Sequence, residues 1–206
     1  MGNIIKAKVK IEGSRPLFQH KFGPDAMPLE KQEKTGVAGN DPEEWRKTCM
    51  VTKDGQLYIE GPYVFSTMRE ASRFHKVGRK SAIYAVSATL QVVDARILLD
   101  CFWPGFPNGN KFDASIIEPP PEDPEAPVYL DIRGVRNPTT KARNVRYRIC
   151  ASPGWGCEFT LFWDKTIVDR NLMHSILIDA GRLVGIGNGR AIGMGRFEVE
   201  DFEIIE

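Results

Sequence analysis

Three groups of residues have types and spacings suited to chemistry. The first is a glycine-rich run near the C-terminal end of the chain. Six glycines fall within residues 181–195, with Arg190 inside the run and Arg196 directly after it. Glycine admits backbone conformations and close approaches that a side chain forbids. Gly187, Gly189, Arg190, Gly193, Gly195 and Arg196 are therefore candidates to lie against phosphates, through backbone N–H groups and guanidinium forks. The run is not a Walker loop, because no Gly-Lys-Ser/Thr is present. A dinucleotide fingerprint opens a helix, whereas this run precedes a strand-like segment. The alternative is a tight connection whose glycines let a helix and a sheet touch.

The second group is a basic stripe, Arg69, Arg73, Lys76 and Lys80, at helical spacing, with Glu70 the single acid between Gly61 and Lys80. It would track the backbone of a single strand, or it is a solvated helix face. The third is residues 131–148, where Arg133, Arg136, Lys141, Arg143, Arg146 and Arg148 stand against one acid, Asp131. This reads as a basic hairpin that grips nucleic acid or merely projects into solvent. His20, with Asp25 or with Asp41, Glu43 and Glu44, would be the general acid–base candidate for cleaving RNA. No triad spacing, nucleophile elbow or HExxH accompanies it. Trp45, Tyr58, Tyr63, Phe65 and Phe74 would stack bases or fill the core. Trp103, Trp155 and Trp163 are assigned to packing.

These residues need elements to hold them. Ile5, Ala7, Val9 and Ile11 alternate with Lys6, Lys8, Lys10 and Glu12, which predicts a half-buried strand over 4–12. Residues 13–42 read as a long loop and Glu43–Met50 as a short strand or turn. Asp54-Gly55 predicts a tight hairpin. A helix is expected from Gly61 to near Gly78, with Val64, Met68 and Ala71 on its buried stripe. Residues 82–93 and 94–102 read as strands. The acidic, proline-rich run 119–127 is a stiff spacer. Strands follow over Val128–Arg136, Asn144–Ala151 and Glu158–Trp163. Asp169 caps a last helix that buries Met173, Ile176, Leu177, Ala180 and Val184, and Phe197–Ile205 closes as a strand. The expected fold is α+β, an antiparallel sheet of ferredoxin-like, RNA-recognition-type topology with two main helices on one face. It is expected as a single domain over 1–206, with insertions at 13–42 and 118–151.

Hydrophobic residues make up 42% of the 206 and the formal net charge is +1, so disorder is excluded and no basic total announces a polyanion partner. Cys49, Cys101, Cys150 and Cys157 form no CxxC pair, so reduced thiols are expected rather than zinc. No cofactor or metal is expected. The first residues lack a signal-peptide core, and no run approaches the roughly 20 apolar residues that span a bilayer, so a cytoplasmic protein with no membrane partner is expected.

Three blocks, in order, resemble the repeat-associated superfamily of CRISPR effector proteins, particularly its Cas7-like backbone subunits or a stand-alone relative. Gly13-Ser14-Arg15-Pro16-Leu17-Phe18-Gln19-His20 is similar to the turn after the family's first strand. Leu57 to Arg69 resembles the entry to its first helix, with Glu60 where proline is usual. Gly185 to Arg196 resembles its glycine loop, with Met194 where an aromatic is common. The resemblance implies a protomer of a repeating ribonucleoprotein assembly in antiviral defence. It implies guide RNA as the polymer bound, self-association, and other effector subunits as partners. It also leaves open an RNA endonuclease, metal-independent or metal-assisted, and a structural protein that binds no nucleic acid. RNA or single-stranded DNA is the expected ligand, and catalysis is not the favoured expectation.

Overall fold

The computed structural model describes residues 2–23, 39–106, 111–137 and 139–205. They fall into two compact units, one of residues 1–17, 58–100 and 153–206, the other of residues 18–57 and 101–152.

The first unit is built on β1 (Ile4–Gly13). Its alternation works as expected: Ile5, Ala7, Val9 and Ile11 are buried while Lys8, Lys10 and Glu12 are exposed. β1 pairs antiparallel with β11 (Gly156–Asp164) on one edge and β12 (Phe197–Ile204) on the other. The register sets Ile5, Ala7, Val9 and Ile11 opposite Trp163, Leu161, Phe159 and Cys157, so both strands turn apolar residues to one side. β7 (Gln91–Val92) continues the sheet antiparallel beyond β11, and β8 (Arg96–Phe102) and β4 (Gln56–Glu60) complete it. Two helices pack against the buried side. α2 (Gly61–Ala71) buries Val64, Thr67, Met68 and Ala71, and α4 (Arg170–Asp179) buries Met173, Ile176 and Leu177. Taken as β1, α2, β7, β11, α4, β12, the strands lie in the order β12-β1-β11-β7. That is the ferredoxin-like β-α-β-β-α-β arrangement, within an α+β fold.

The second unit carries the chain's two excursions from that frame. Its hairpin, β9 (Val128–Arg136) and β10 (Arg143–Ala151), is antiparallel, and β10 also pairs with β2 (Leu17–Phe18) and β3 (Gly39–Asn40). α1 (Glu44–Thr48) lies against β10. Trp45, Trp103 and Phe112 pack ring to ring, with centroids 5.5 and 4.9 Å apart. Arg46 stands over Trp45 and donates to the carbonyls of Ala114 and Ile117, pinning the segment before the proline run. Trp103, Trp155 and Trp163 are all buried, as packing residues should be.

Three elements differ from expectation. Residues 44–48 form α1 rather than a strand or turn, because Glu44, Trp45 and Thr48 bury one helical face. Residues 83–89 form α3 (Ile83–Thr89), not a strand: Ala82, Val86, Thr89 and Leu90 are the buried positions, at helical rather than alternating spacing. α2 ends at Ala71, not near Gly78. A 3-10 turn over Ser72–Phe74 leads into a two-residue-strand hairpin, β5 (Lys76–Val77) and β6 (Lys80–Ser81), with Gly78 left-handed at its tip. Among the described residues no helix is long and apolar enough to cross a membrane.

Asp169 caps α4 as predicted, accepting from the N–H groups of Asn171 and Leu172 at 3.0 and 3.1 Å. Asp169→Ala is expected to lower unfolding free energy by about 1 kcal/mol in urea melts, with the α2 side of the unit unaffected in its native spectrum.

Candidate nucleic-acid interface

The six basic residues of the β9–β10 hairpin divide between two faces. Alternation puts Arg133, Arg146 and Arg148 on one face and Arg136 and Arg143 on the other. The first three are ion-paired within the fold. Asp131, itself buried, accepts from Arg133 Nε at 3.0 and 3.1 Å, from Arg133 Nη2 at 2.6 Å and from Arg148 Nη2 at 3.3 Å. Both guanidinium groups stand over the Phe18 ring, 4.9 and 4.7 Å from its centroid. Arg148 is 4% exposed, and burial pulls its pKa down, whereas the hydrogen bond to Asp131 raises that of Arg133. Arg146 pairs with Glu44, whose second oxygen accepts the Tyr147 N–H at 3.1 Å.

The other face is different. Arg136 and Arg143 are exposed and directly opposite each other across the hairpin. Neither has an ion-pair partner among the described residues. Like charges facing each other across strands repel unless an anion sits between them. Lys141, exposed and left-handed at φ 60°, stands at the same end. Ile132, Gly134, Val145 and Tyr147 continue this face towards the base of the hairpin. Tyr147 thus shares a face with two arginines. Sequence reasoning missed it, although the two-residue period from Arg143 would have found it.

The glycine loop belongs to the first unit. After α4 the chain makes a π-helical turn over Ala180–Val184, and Gly185, Gly187, Gly189, Gly193 and Gly195 all take left-handed φ. A Cβ on Gly195 would overlap the Ile186 carbonyl oxygen, and one on Gly185 would come 2.6 Å from the Met194 oxygen. Several of the loop's amides bond within the loop or to the segment after β1. Ile186 N–H donates to Gly195 O at 2.8 Å, Gly193 N–H to Arg190 O at 3.0 Å, and Gly195 N–H to Pro16 O at 2.8 Å. The loop also binds the domain's own helix, since Thr67 Oγ1 donates to Gly185 O at 2.9 Å. Between them lies a cavity of about 240 Å³ lined by Pro62, Tyr63, Ser66, Thr67, Gly187 and Arg190. Arg190 faces this cavity. Arg196 instead carries a buried Nη1 with no hydrogen-bond partner among the described residues, and burial lowers its pKa.

On the α2 side, Arg69 donates to Ser87 Oγ at 3.0 Å, Arg73 pairs with Glu70 at 3.1 Å, and Lys76 lies on β5. They do not form the single helical stripe expected, because the helix stops first.

His20 is half-buried beside Glu44, Arg146 and Arg148. Burial lowers its pKa, and the charge of Glu44 opposes this. Asp41 is held by Lys47 at 3.3 Å and Glu43 by Arg46. Asp25 lies outside the described residues. Burial pushes the Cys49 thiol up to about 11 and raises those of Cys150 and Cys157 as well, and none of the four cysteines is joined in a disulfide. Among the described residues no three His, Cys, Asp or Glu side chains gather as metal ligands.

No family model and no curated protein matches this sequence. Among solved structures, the chain is similar to one in a Type III-B Cmr-beta complex bound to cognate target RNA. The identity there is 11% and the TM-score 0.48, over 98% of this chain and 61% of that one. It is also similar to a chain of a Type IV-B CRISPR complex, at 13% identity and a TM-score of 0.47, over 97% of this chain and 90% of that one. The chain thus spans about 61% of the length of the first of these.

Two outcomes test this geometry. Asp131→Ala strips the buried Arg148 of its countercharge and should cost about 3 kcal/mol or more in denaturant melts. His20 has a folded pKa below its ordinary 6.5, so the unfolded chain binds its proton first. Its contribution to stability is complete above pH 6.5 and is lost as pH falls below that. Melts from pH 7.5 to 5 should therefore show a slope that His20→Gln flattens.

Proposed function

We propose that this chain binds the backbone of single-stranded nucleic acid, with RNA the favoured polymer, as a protomer of a repeating assembly of CRISPR-effector type. The observation that carries the reading is the facing pair Arg136 and Arg143, exposed, without an ion-pair partner among the described residues, and on the face that bears Tyr147. A phosphate between two guanidinium groups relieves their repulsion, and an adjacent aromatic ring gives a base a surface to stack on. Arg190 in the cavity beside α2 offers a second phosphate contact. Arg133, Arg146 and Arg148 support the hairpin through Asp131 and Glu44 and leave the contact itself to the tip.

The open face of the sheet argues against the alternative that RNA lies across the strands. Lys8 pairs with Glu158 and Lys10 with Glu200, both at 2.6 Å, and Glu12 shares a hydrogen bond with Glu200. That face neutralises Lys8 and Lys10 and adds further acidic groups, which repel phosphate. An endonuclease is the second reading, and His20 is its residue. A pKa held below 6.5 makes it a neutral base at physiological pH, with Glu44 beside it.

The test is titration of a labelled single-stranded oligonucleotide at several salt concentrations. R136E/R143E should weaken binding by at least about tenfold. It should also reduce the salt slope by roughly 0.7, the contribution of the one single-strand phosphate that the variant no longer neutralises. Unchanged affinity and slope would remove the hairpin from the interface. Cleavage of the same RNA by wild type but not by His20→Ala would turn the conclusion to the nuclease.

A further inference from the structure

Two surfaces outside that interface complement each other. The first surrounds the C-terminal end of α2. Arg69, Arg73, Lys76, Arg79 and Lys80 are all exposed there, and the only acid from Gly61 to Val93 is Glu70. Lys76, Arg79 and Lys80 have no ion-pair partner among the described residues. Two aromatic side chains are exposed near these cations: Phe74 is 63% exposed and Tyr84 82%. The local structure gathers them. The Ala82 N–H donates to His75 O at 2.9 Å and closes the β5–β6 hairpin between Phe74 and Tyr84. Arg69 reaches Ser87, one turn beyond Tyr84 on α3.

The second surface is residues 113–127. Asp113, Glu118, Glu122, Asp123 and Glu125 are exposed, with five prolines among them and no Lys or Arg. Ile116 is 80% exposed. The segment has no helix or strand, yet its backbone is tied down. Arg46 holds the Ala114 and Ile117 carbonyls, Pro121 O accepts from Leu130 N–H at 2.9 Å, and Ser152 Oγ donates to Pro124 O and Ala126 O at 2.9 and 2.6 Å. A proline-rich segment already held in place by its turns and by these bonds loses little entropy on docking, and proline-rich segments bind faces lined by aromatic rings.

We infer that the basic aromatic face of Phe74 and Tyr84 receives the acidic proline-rich segment 113–127 of a second copy of this chain. Five acids meet five cations, one of which, Arg73, already pairs with Glu70, and Ile116 and the exposed prolines supply apolar contact to the two rings. Because the two surfaces differ, the contact is head-to-tail and generates a ring or an open filament instead of a closed twofold dimer. It deepens the reading above by naming how protomers meet. It needs no nucleic acid, and it assigns Arg69, Arg73 and Lys76 to protein rather than phosphate.

The experiment is sedimentation velocity on nucleic-acid-free full-length protein across concentration and salt. Wild type should self-associate, more weakly as salt rises. K76E/K80E alone and E122K/D123K alone should each weaken association by about tenfold or more. A 1:1 mixture of the two should restore it, which a folding defect would not allow. R136E/R143E should lose oligonucleotide binding and keep self-association, so that failure at either site is distinguishable from failure at the other. A wild type monomeric at every concentration, association untouched by both reversals, or a mixture that stays apart would each overturn the proposal. So would K76E/K80E losing oligonucleotide while still associating, which would return the face to nucleic acid.

Discussion

β1 is hydrogen-bonded along both edges and buried on one face, and most of the first unit follows from that double demand. Its partners come from far along the chain, β11 at residues 156–164 and β12 at residues 197–204. To bring β12 alongside, the chain must leave α4, reverse over the helix end and enter the sheet antiparallel to β1. The turn leaves almost no room. Gly181 lies against the backbone and ring of Phe197, and Gly195 against the backbone of Ile186. The glycines serve this closure first, and the cavity beside Arg190 is its by-product.

Charge is distributed on the same principle of local settlement. On the sheet's open face Lys8 and Lys10 have each found a carboxylate. Two acids there share a hydrogen bond: the bond with Glu200 raises the pKa of Glu12, while hydrogen bonds from Lys10 and Glu12 lower that of Glu200. At the base of the hairpin one buried aspartate holds two arginines. A net charge of +1 therefore says little about any one surface. What remains unsettled is local: the Arg136–Arg143 tip, the β5–β6 rim, and the acids around the prolines.

The frame was legible because its patterns are local. Alternation in β1, the stripes of α2 and α4, the Asp169 cap and the Asp54-Gly55 turn all appear as read. The misreadings have a common cause. Residues 83–89 mix β-branched and small residues, and only tertiary burial of Val86 and Thr89 decides for helix. α2 gives way after Ala71 to a 3-10 turn closed by His75 N–H on Ser72 O, and the bond beyond it, from Ala82 N–H to His75 O, lies outside the helical window. In the candidate site the six hairpin cations were visible, but not their division. Which arginine meets Asp131 and which faces another arginine depends on register, and register is set by pairing between distant residues. Glu44, the partner of Arg146, sits about a hundred residues away and carries no mark of that role in the sequence.

The two-excursion layout bears on how the chain is made. A ribosome releases β1 well before its pairing partners, which emerge more than 140 residues later, and the second unit's hairpin is finished before the first unit's sheet can close. During synthesis β1 offers two unpaired edges and an apolar row, Ile5, Ala7, Val9 and Ile11, that nothing yet covers. Pairings this distant in sequence make folding slow and the waiting strand prone to foreign pairing. The lysines that alternate with that apolar row then act as guards, since positive charge repeated along an exposed strand discourages a second β1 from adding to it.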